Sequence, residues 1–305
     1  MVGRQGTRAP GLRGAILASG LVGRQATAGD LPGAGTAPMT TQASHGRRRG
    51  IGLRAGPRRA ANLSGMPEPT VLCSHQDGVL TLTLNRPAKL NAIDNDLAAA
   101  LLDGLRSAAD VPAVRVIRLR GQGRAFCAGR DVGAPPTEQD LVRVQAVASA
   151  IVRHPKPVVA AVHGWTVGAG FEWAMCADVV LAAGDARFKL PEASLGLFVT
   201  GGLMATLPAA AGLARAKALM LLGEEFGARE AIEWGLMHRA VPAEQLDAVS
   251  LDVCLRLAAL QAHVLTRYKR VLNDIGLERF QRAIDAESRA TRELTGDTPA
   301  ADAGP

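Results

Sequence analysis

The stretch KPVVAAVHGWTVGAGFEWAMCADVVLAAGDARFKLPE, residues 156–192, decides how this chain is read. From Pro157 to Ala183 it is almost wholly apolar or small, yet Glu172 and Asp178 lie inside it. An ionised carboxylate in apolar surroundings is costly unless it is paired, hydrogen-bonded or protonated. Glu172 is therefore either satisfied by specific partners in a plain strand–helix unit or kept for chemistry. Residues 158–162 read as a buried strand. Gly164, Gly168 and Gly170 then interrupt the pattern, and helical spacing starts near Ala169. A strand, a glycine-rich turn and a helix N-terminus together present backbone N–H groups and a positive dipole end. That combination suits a developing oxyanion. A second acid, Glu192, follows Pro191 after the strand-like run 186–190. A membrane span is the rival reading of so apolar a run, and its glycines, His163, Glu172 and Asp178 argue against it. The G-x-G at Gly168 and Gly170 lacks the third glycine of a dinucleotide fingerprint.

On the N-terminal side, residues 71–74 and 79–84 flank Asp77-Gly78 as a hairpin. Asp94 is placed to cap a helix to about Ala109, with Leu97, Leu101, Leu102 and Leu105 on one face. A strand over 114–119 follows, then a glycine-broken loop over 121–130 and a helix over 138–153. On the C-terminal side, 195–202 reads as a loop. Short helices are expected at 203–210, 213–222 and 228–234, punctuated by Gly212, Gly223 and Gly235. A strand over 237–241 and a helix to about Leu260 precede a last helical region over 263–294. Strands alternate with helices early and helices dominate late, so an α/β domain with a helical C-terminal part is expected.

The 305 residues carry a formal charge of +7, and its distribution matters more than its size. Residues 1–65 hold ten Arg, no Lys and one acid, Asp30, for +9, which leaves −2 for residues 66–305. That near-neutral remainder, with Tyr268 its only tyrosine, offers no nucleic-acid surface. Residues 1–65 keep no apolar period and read as a disordered basic segment: a transit-like leader, a basic arm, or sequence upstream of a true start at Met66. The last reading is favoured, because 66–87 opens like a compact domain. The expected division is 1–65, then a core over 66–260, then a helical region and tail over 261–305. Cys73, Cys127, Cys176 and Cys254 form no C-x-x-C pair and no metal-ligand spacing, as buried thiols in a reducing compartment would.

Five stretches together resemble the enoyl-CoA hydratase/isomerase, or crotonase, family: LNRPAKLNAI at 84–93, GRAFCAGRDV at 123–132, KPVVAAVHGWTVGAGFEWAMCADVVLAA at 156–183, RFKLPEASLGL at 187–197 and ARAKALMLLGEEFGAREAIEWGLMHRAVP at 214–242. They occur in the family's order and span about 71–290. The resemblance implies a spiral of ββα units with a C-terminal helical trimerisation region, hence a homotrimer or hexamer. It implies an acyl-CoA thioester substrate, with CoA as part of that substrate and no separate cofactor, metal, nucleic acid or membrane partner. The expected location is cytoplasmic, or an organelle matrix if 1–65 is a transit peptide.

The resemblance also assigns residues. The backbone N–H groups of Arg130 and Ala169 would form the oxyanion hole. Glu172 and Glu192 would be the catalytic pair, Glu172 on the water and Glu192 on the proton at Cα. CoA would lie along Arg86, Lys89, Leu90 and Ala92 and along Ala128, Arg130, Asp131, Val132 and Gly133, with Arg86 and Lys89 toward its phosphates. Val199, Thr200 and Met204 fall where the acyl group would be lined. Trp165, Phe171 and Trp173 either pack the core or narrow the pocket. In the polar tail TGDTPAADAGP the chain departs from the family, whose members bring a further helix to the adenine of CoA. The reaction implied is hydration of a 2-trans-enoyl-CoA. The alternatives are an isomerase, a thioester hydrolase, a decarboxylase or a non-catalytic thioester-binding member.

Overall fold

The computed structural model describes residues 68–133 and 137–296. The expectations for residues 1–65 and for the polar tail beyond Gly296 lie outside these described residues. Strands β1 (Val71–Gln76) and β2 (Val79–Leu84) pair antiparallel about Asp77 and Gly78. Their φ values of 49° and 81° are the left-handed pair that a two-residue primed turn requires. Helix α1 (Asn95–Ala109) starts at Asp94, whose carboxylate accepts the Leu97 N–H at 2.8 Å. Its face of Leu97, Leu101 and Leu105 is completely buried.

Next come β3 (Val116–Gly121), β4 (Ala125–Cys127) and α2 (Glu138–Val152), the last opened by a reciprocal Thr137–Asp140 capping box. Strands β5 (Val158–Val162) and β6 (Trp165–Val167) lead into α3 (Ala169–Met175). Strands β7 (Val179–Ala183) and β8 (Arg187–Lys189) lead, through a 3-10 turn at Glu192–Leu195, into α4 (Leu203–Leu222). The chain closes with β9 (Phe226–Gly227), α5 (Ala228–Glu233), β10 (Arg239–Val241), α6 (Leu246–Ala258), α7 (Ala262–Gly276) and α8 (Phe280–Thr295).

Two sheets result. One runs β1-β2-β3-β5-β7-β10, parallel apart from the first hairpin; the other runs β4-β6-β8-β9. After the first hairpin, which stays in the large sheet, the pairs β3/β4, β5/β6 and β7/β8 each leave one strand in each sheet before the next helix, and the chain advances as a spiral. The corner between β5 and β6 is Gly164, at φ 52°, where a Cβ would run into the Arg124 carbonyl. The large sheet is covered on both faces. Leu82, Leu119 and Ala160 belong to the main core, while Val116, Val159 and Leu181 pack under Cys254 of α6. This explains why β5 and β7 read as unbroken apolar runs rather than alternating ones.

One helical boundary differs from the sequence expectation. The pieces 203–210 and 213–222 fall, as expected, on either side of Gly212, whose φ 75° and ψ 158° are non-helical within α4. The last region is broken after Gly276, so that α7 and α8 are separate. Strands β6 and β9, of three and two residues, carry too few side chains to show a period.

One polar side chain locks the N-terminal part of the site. Asn91 is completely buried at φ 56°. Its amide donates to the Gln122, Ala125 and Phe126 carbonyls at 2.9, 2.8 and 3.1 Å, and its Oδ1 accepts the Arg86 N–H at 2.8 Å. The loop 86–94 is thereby fastened to β4. Asn91→Ala leaves those carbonyls unmet and keeps a left-handed backbone without the residue that tolerates it. The expected loss is about 2–4 kcal/mol of unfolding free energy, read by urea titration. A loss under about 0.5 kcal/mol would show that the loop is held elsewhere.

Candidate active site

The second sheet and its loops place Glu172 and Glu192 on one cleft. Gly168 ends β6 and caps α3; its N–H donates to the Lys189 carbonyl at 3.0 Å, which ties the turn to β8. Its φ is 50°, and a Cβ there would stand 2.5 Å from Glu192 Oε1. Glycine is required both for the backbone and for the close approach of that carboxylate. Gly170 is equally confined, since its Cβ would meet Cys127 Sγ at 2.7 Å. This contact seats the first turn of α3 directly on β4.

Ala169 is the first residue of α3, a position whose N–H has no acceptor within the helix. Gly129 lies beside it: a Cβ on Gly129 would be 3.8 Å from the Ala169 nitrogen. At Arg130 the backbone pairs with Ile93, through Ile93 N–H to Gly129 O and Asp131 N–H to Ile93 O, both 2.8 Å. That parallel ladder turns the Arg130 N–H away from Ile93. The two amides expected at an oxyanion hole thus come from adjacent stretches of backbone on the same cleft, which both residues line together with Glu172 and Glu192. The cleft encloses ≈ 880 Å³ including its open mouth. Leu141, Val144, Leu195, Leu197 and Phe198 give it an apolar wall.

Glu172 sits on the first turn of α3 with 1% exposure. Its Oε2 accepts the Thr200 N–H at 2.9 Å and also the Gly201 N–H. Burial, and then the charges of Glu192 and Glu287, push its carboxyl well above the usual range; the two amides pull the other way. Glu192 opens the 3-10 turn after Pro191, and burial lifts its carboxyl to about 7. Its Oε2 is enclosed and has no hydrogen-bond partner among the described residues.

Of the residues expected to follow CoA, Ala128, Arg130 and Val132 line the same cleft. Lys89, Arg130, Asp131 and Gly133 line a second hollow that shares Arg130 with it. Leu90 and Ala92 line neither; Leu90 O accepts the Ala128 N–H at 3.0 Å and Ala92 N–H returns to Lys89 O, so both shape the loop. Arg86, expected toward phosphate, lines neither hollow and stands behind Asp94 and Asp131 of the second. Its guanidinium is engaged by Asp94 at 2.9 Å, Asp131 at 3.3 Å and the Ala92 carbonyl. The Gly133 N–H and Arg86 hold the Asp131 carboxyl below its ordinary value. Among the acyl-side expectations, Thr200 lines the cleft, Val199 is buried away from it, and Met204 is exposed outside it. Phe171 and Trp173 are core residues, and Trp165 stacks under Arg187 at 4.9 Å.

One carboxylate was not foreseen. Glu287 of α8 is completely buried and accepts the Gly202 and Met204 N–H groups at 2.7 and 2.9 Å. Burial lifts its carboxyl to about 7. Its sequence signal was position: with Phe280, Ala283 and Ile284 it falls on the core stripe of its helix, where an acid is out of place. Among the described residues no three His, Cys, Asp or Glu side chains gather as a metal site would require, and the four cysteines are free thiols.

Comparison with known proteins follows the same lines. The family model described as enoyl-CoA hydratase/isomerase matches residues 74–299. The 1,2-epoxyphenylacetyl-CoA isomerase of Escherichia coli K12 is 35% identical over 236 residues, covering 74% of this chain and 90% of that protein. The 2,3-dehydroadipyl-CoA hydratase of the same organism is 36% identical over 198 residues, covering 63% of this chain and 75% of that protein. A crystal structure of an enoyl-CoA hydratase from Mycobacterium avium subsp. paratuberculosis superposes with a TM-score of 0.72 at 32% identity, over 77% of this chain and 96% of that one.

The raised Glu192 carboxyl has a measurable cost. A carboxyl whose folded pKa lies above its unfolded value adds most stability below about 4.5 and loses it as pH rises toward about 7. Glu192→Gln cannot ionise and escapes that loss. The variant should match the native protein below pH 4.5 and exceed it above pH 7 by on the order of 1–3 kcal/mol. Paired unfolding curves at the two pH values check this. Equal stability at pH 8 would mean that Glu192 titrates normally.

Proposed function

This chain belongs to the enoyl-CoA hydratase/isomerase family, and on that premise we propose that it adds water across the 2,3 double bond of a 2-trans-enoyl-CoA. The observation that carries this reading is the pair Glu172 and Glu192, both enclosed, both on one cleft, beside the backbone of Arg130 and Ala169. Hydration needs a base for the attacking water and an acid for Cα, and two carboxyls sharing one proton supply both. The partners decide how the proton is divided. Burial raises both carboxyls, Glu172 further still through its acidic neighbours. The two amides that Glu172 has and Glu192 Oε2 lacks are the feature taken here to leave the charge on Glu172 once the pair holds one proton. Water then loses a proton to Glu172 as its oxygen bonds to C3, and Glu192 delivers its proton to C2. The electron pair passes through the thioester oxygen, where the Arg130 and Ala169 N–H groups are the proposed donors. The apolar wall from Leu141 to Phe198 suits the acyl chain; in the adjoining hollow Lys89 and Arg130 are the proposed CoA-phosphate contacts, beside Asp94, Asp96, Asp131 and Asp140. This chemistry calls for no metal or redox group.

A second reading is isomerisation, the reaction class in the name of the E. coli 1,2-epoxyphenylacetyl-CoA isomerase, taken here on an enoyl substrate as double-bond migration. Moving a proton between carbons requires only one carboxylate, so it leaves the second acid without work.

A proposal for the quaternary state rests on an apolar stripe on α7. Val264, Tyr268, Val271, Leu272 and Ile275 recur along one face and are exposed. Such a stripe is far more apolar than a monomer's surface allows, and its proposed occupant is the same face of further copies in a homotrimer or hexamer.

The test of the reaction is loss of the conjugated absorbance of crotonyl-CoA with product identified as the 3-hydroxyacyl thioester. Glu172→Gln and Glu192→Gln should each lose about 10²–10⁴-fold in kcat while still binding crotonyl-CoA. Near-native turnover in either variant would remove that residue from the chemistry. Regioisomeric enoyl product without 3-hydroxyacyl product would replace hydration by isomerisation. For assembly, Leu272→Asp should shift the native oligomer to smaller species in sedimentation. An unchanged mass would place the interface elsewhere.

A further inference from the structure

The loop 199–204 is gripped from two sides. Thr200 and Gly201 give their N–H groups to Glu172 on α3; Gly202 and Met204 give theirs to Glu287 on α8. Successive amides turned toward anions in this way make a nest, and here one nest serves two carboxylates. The backbone is built for it. Gly202 has φ 81°, and a Cβ there would collide with the Phe280 ring. A Cβ on Gly201 would stand 2.7 Å from Glu172 Oε2. Helix α8 is itself fixed over the cleft by Gln145 to Ser288 at 2.9 Å and by the Arg292–Glu138 ion pair.

We propose that Glu287, which does not line the cleft, is a positioning residue for the reaction: it holds the loop that holds Glu172, and its charge disfavours charge on Glu172 across that loop. The inference rests on the hydratase reading for its kinetic consequence only. The groups around Glu287 leave the coupling intact. From α3 it faces Glu172 and, beyond, the Cys176 thiol, which burial and these two acids keep neutral. On α2, Gln145, which bonds the neighbouring Ser288, is uncharged, and Glu138 of that helix is taken up by Arg292. The first turn of α4 contributes backbone donors alone. Lys269 of α7 is spent on Asp178 at 2.7 Å and on the Ile151 carbonyl. Among the described residues no cation is paired with Glu287, so nothing shown neutralises the repulsion between the two acids.

The experiment is Glu287→Gln in the full chain, with the carboxyl carbon of Glu172 followed by NMR across pH, assigned from Glu172→Gln. Removing the like charge should lower the Glu172 midpoint by roughly 0.5–1 unit. The acid limb of kcat/KM for crotonyl-CoA should move down with it. A purely structural role predicts the opposite sign, because a loosened loop would take amides from Glu172 and raise its midpoint. An unchanged or raised midpoint overturns the inference. Linkage supplies a second measurement that does not depend on Glu287→Gln folding: in Glu172→Gln, the Glu287 midpoint must fall by the same amount. An unmoved Glu287 midpoint there also overturns it. Coupled NMR midpoints in a protein that fails to hydrate crotonyl-CoA would sink the hydratase reading and leave this one standing.

Discussion

The constraint on which the rest depends is the cost of keeping carboxylates away from water. Glu172, Glu192 and Glu287 are all enclosed, and the described residues give none of them a cation. Backbone amides do the work instead, two for Glu172 and two for Glu287. Amides stabilise charge only as far as their number and direction allow, so the acids remain poised rather than firmly ionised. Compare Asp178, whose side chain keeps 21% exposure and which has both the Val158 N–H and Lys269 at 2.7 Å. That arrangement fastens α7 to the core. The contrast separates a structural carboxylate from ones held ready to exchange protons.

The spiral exists, in physical terms, to bring distant amides to one place. Each of the three repeats after the first hairpin contributes one strand to each sheet, so the ends of β4, β6 and β8 stack as neighbours. Their following loops carry Arg130, Ala169 and Glu192. Close packing at these ends leaves no room for side chains at Gly168 and Gly170, and the helix start of α3 is pressed onto Cys127. The two candidate donors thus come from rigid backbone, which has no conformational freedom left to lose when charge develops.

Much of this was legible locally. The Asp77-Gly78 turn, the Asp94 cap and the apolar run of β5 depend on near neighbours, and each appears where the residues indicate. The anomaly of an acid at 172 within an apolar run pointed correctly to a special environment. What stayed hidden depends on partners far along the chain. Nothing near Arg86 shows that Asp131, 45 residues on, will occupy its guanidinium. Strands β6 and β9 exist because a neighbour pairs with them, and their own side chains say little. Glu287 is the sharpest case, since its partners Gly202 and Met204 precede it by 85 and 83 residues.

That separation has a consequence for how the protein comes into being. A chain emerging from a ribosome in N-to-C order presents both sheets, Glu172 and Glu192 long before α8 is made. Until then the loop 199–204 has only one of its two anchors, and its remaining amides must turn to water. Among the described residues the cleft is therefore completed late, although most of its residues are synthesised midway. A nascent chain that has already folded its sheets still lacks one anchor of the loop beside Glu172. Helix α8 supplies it.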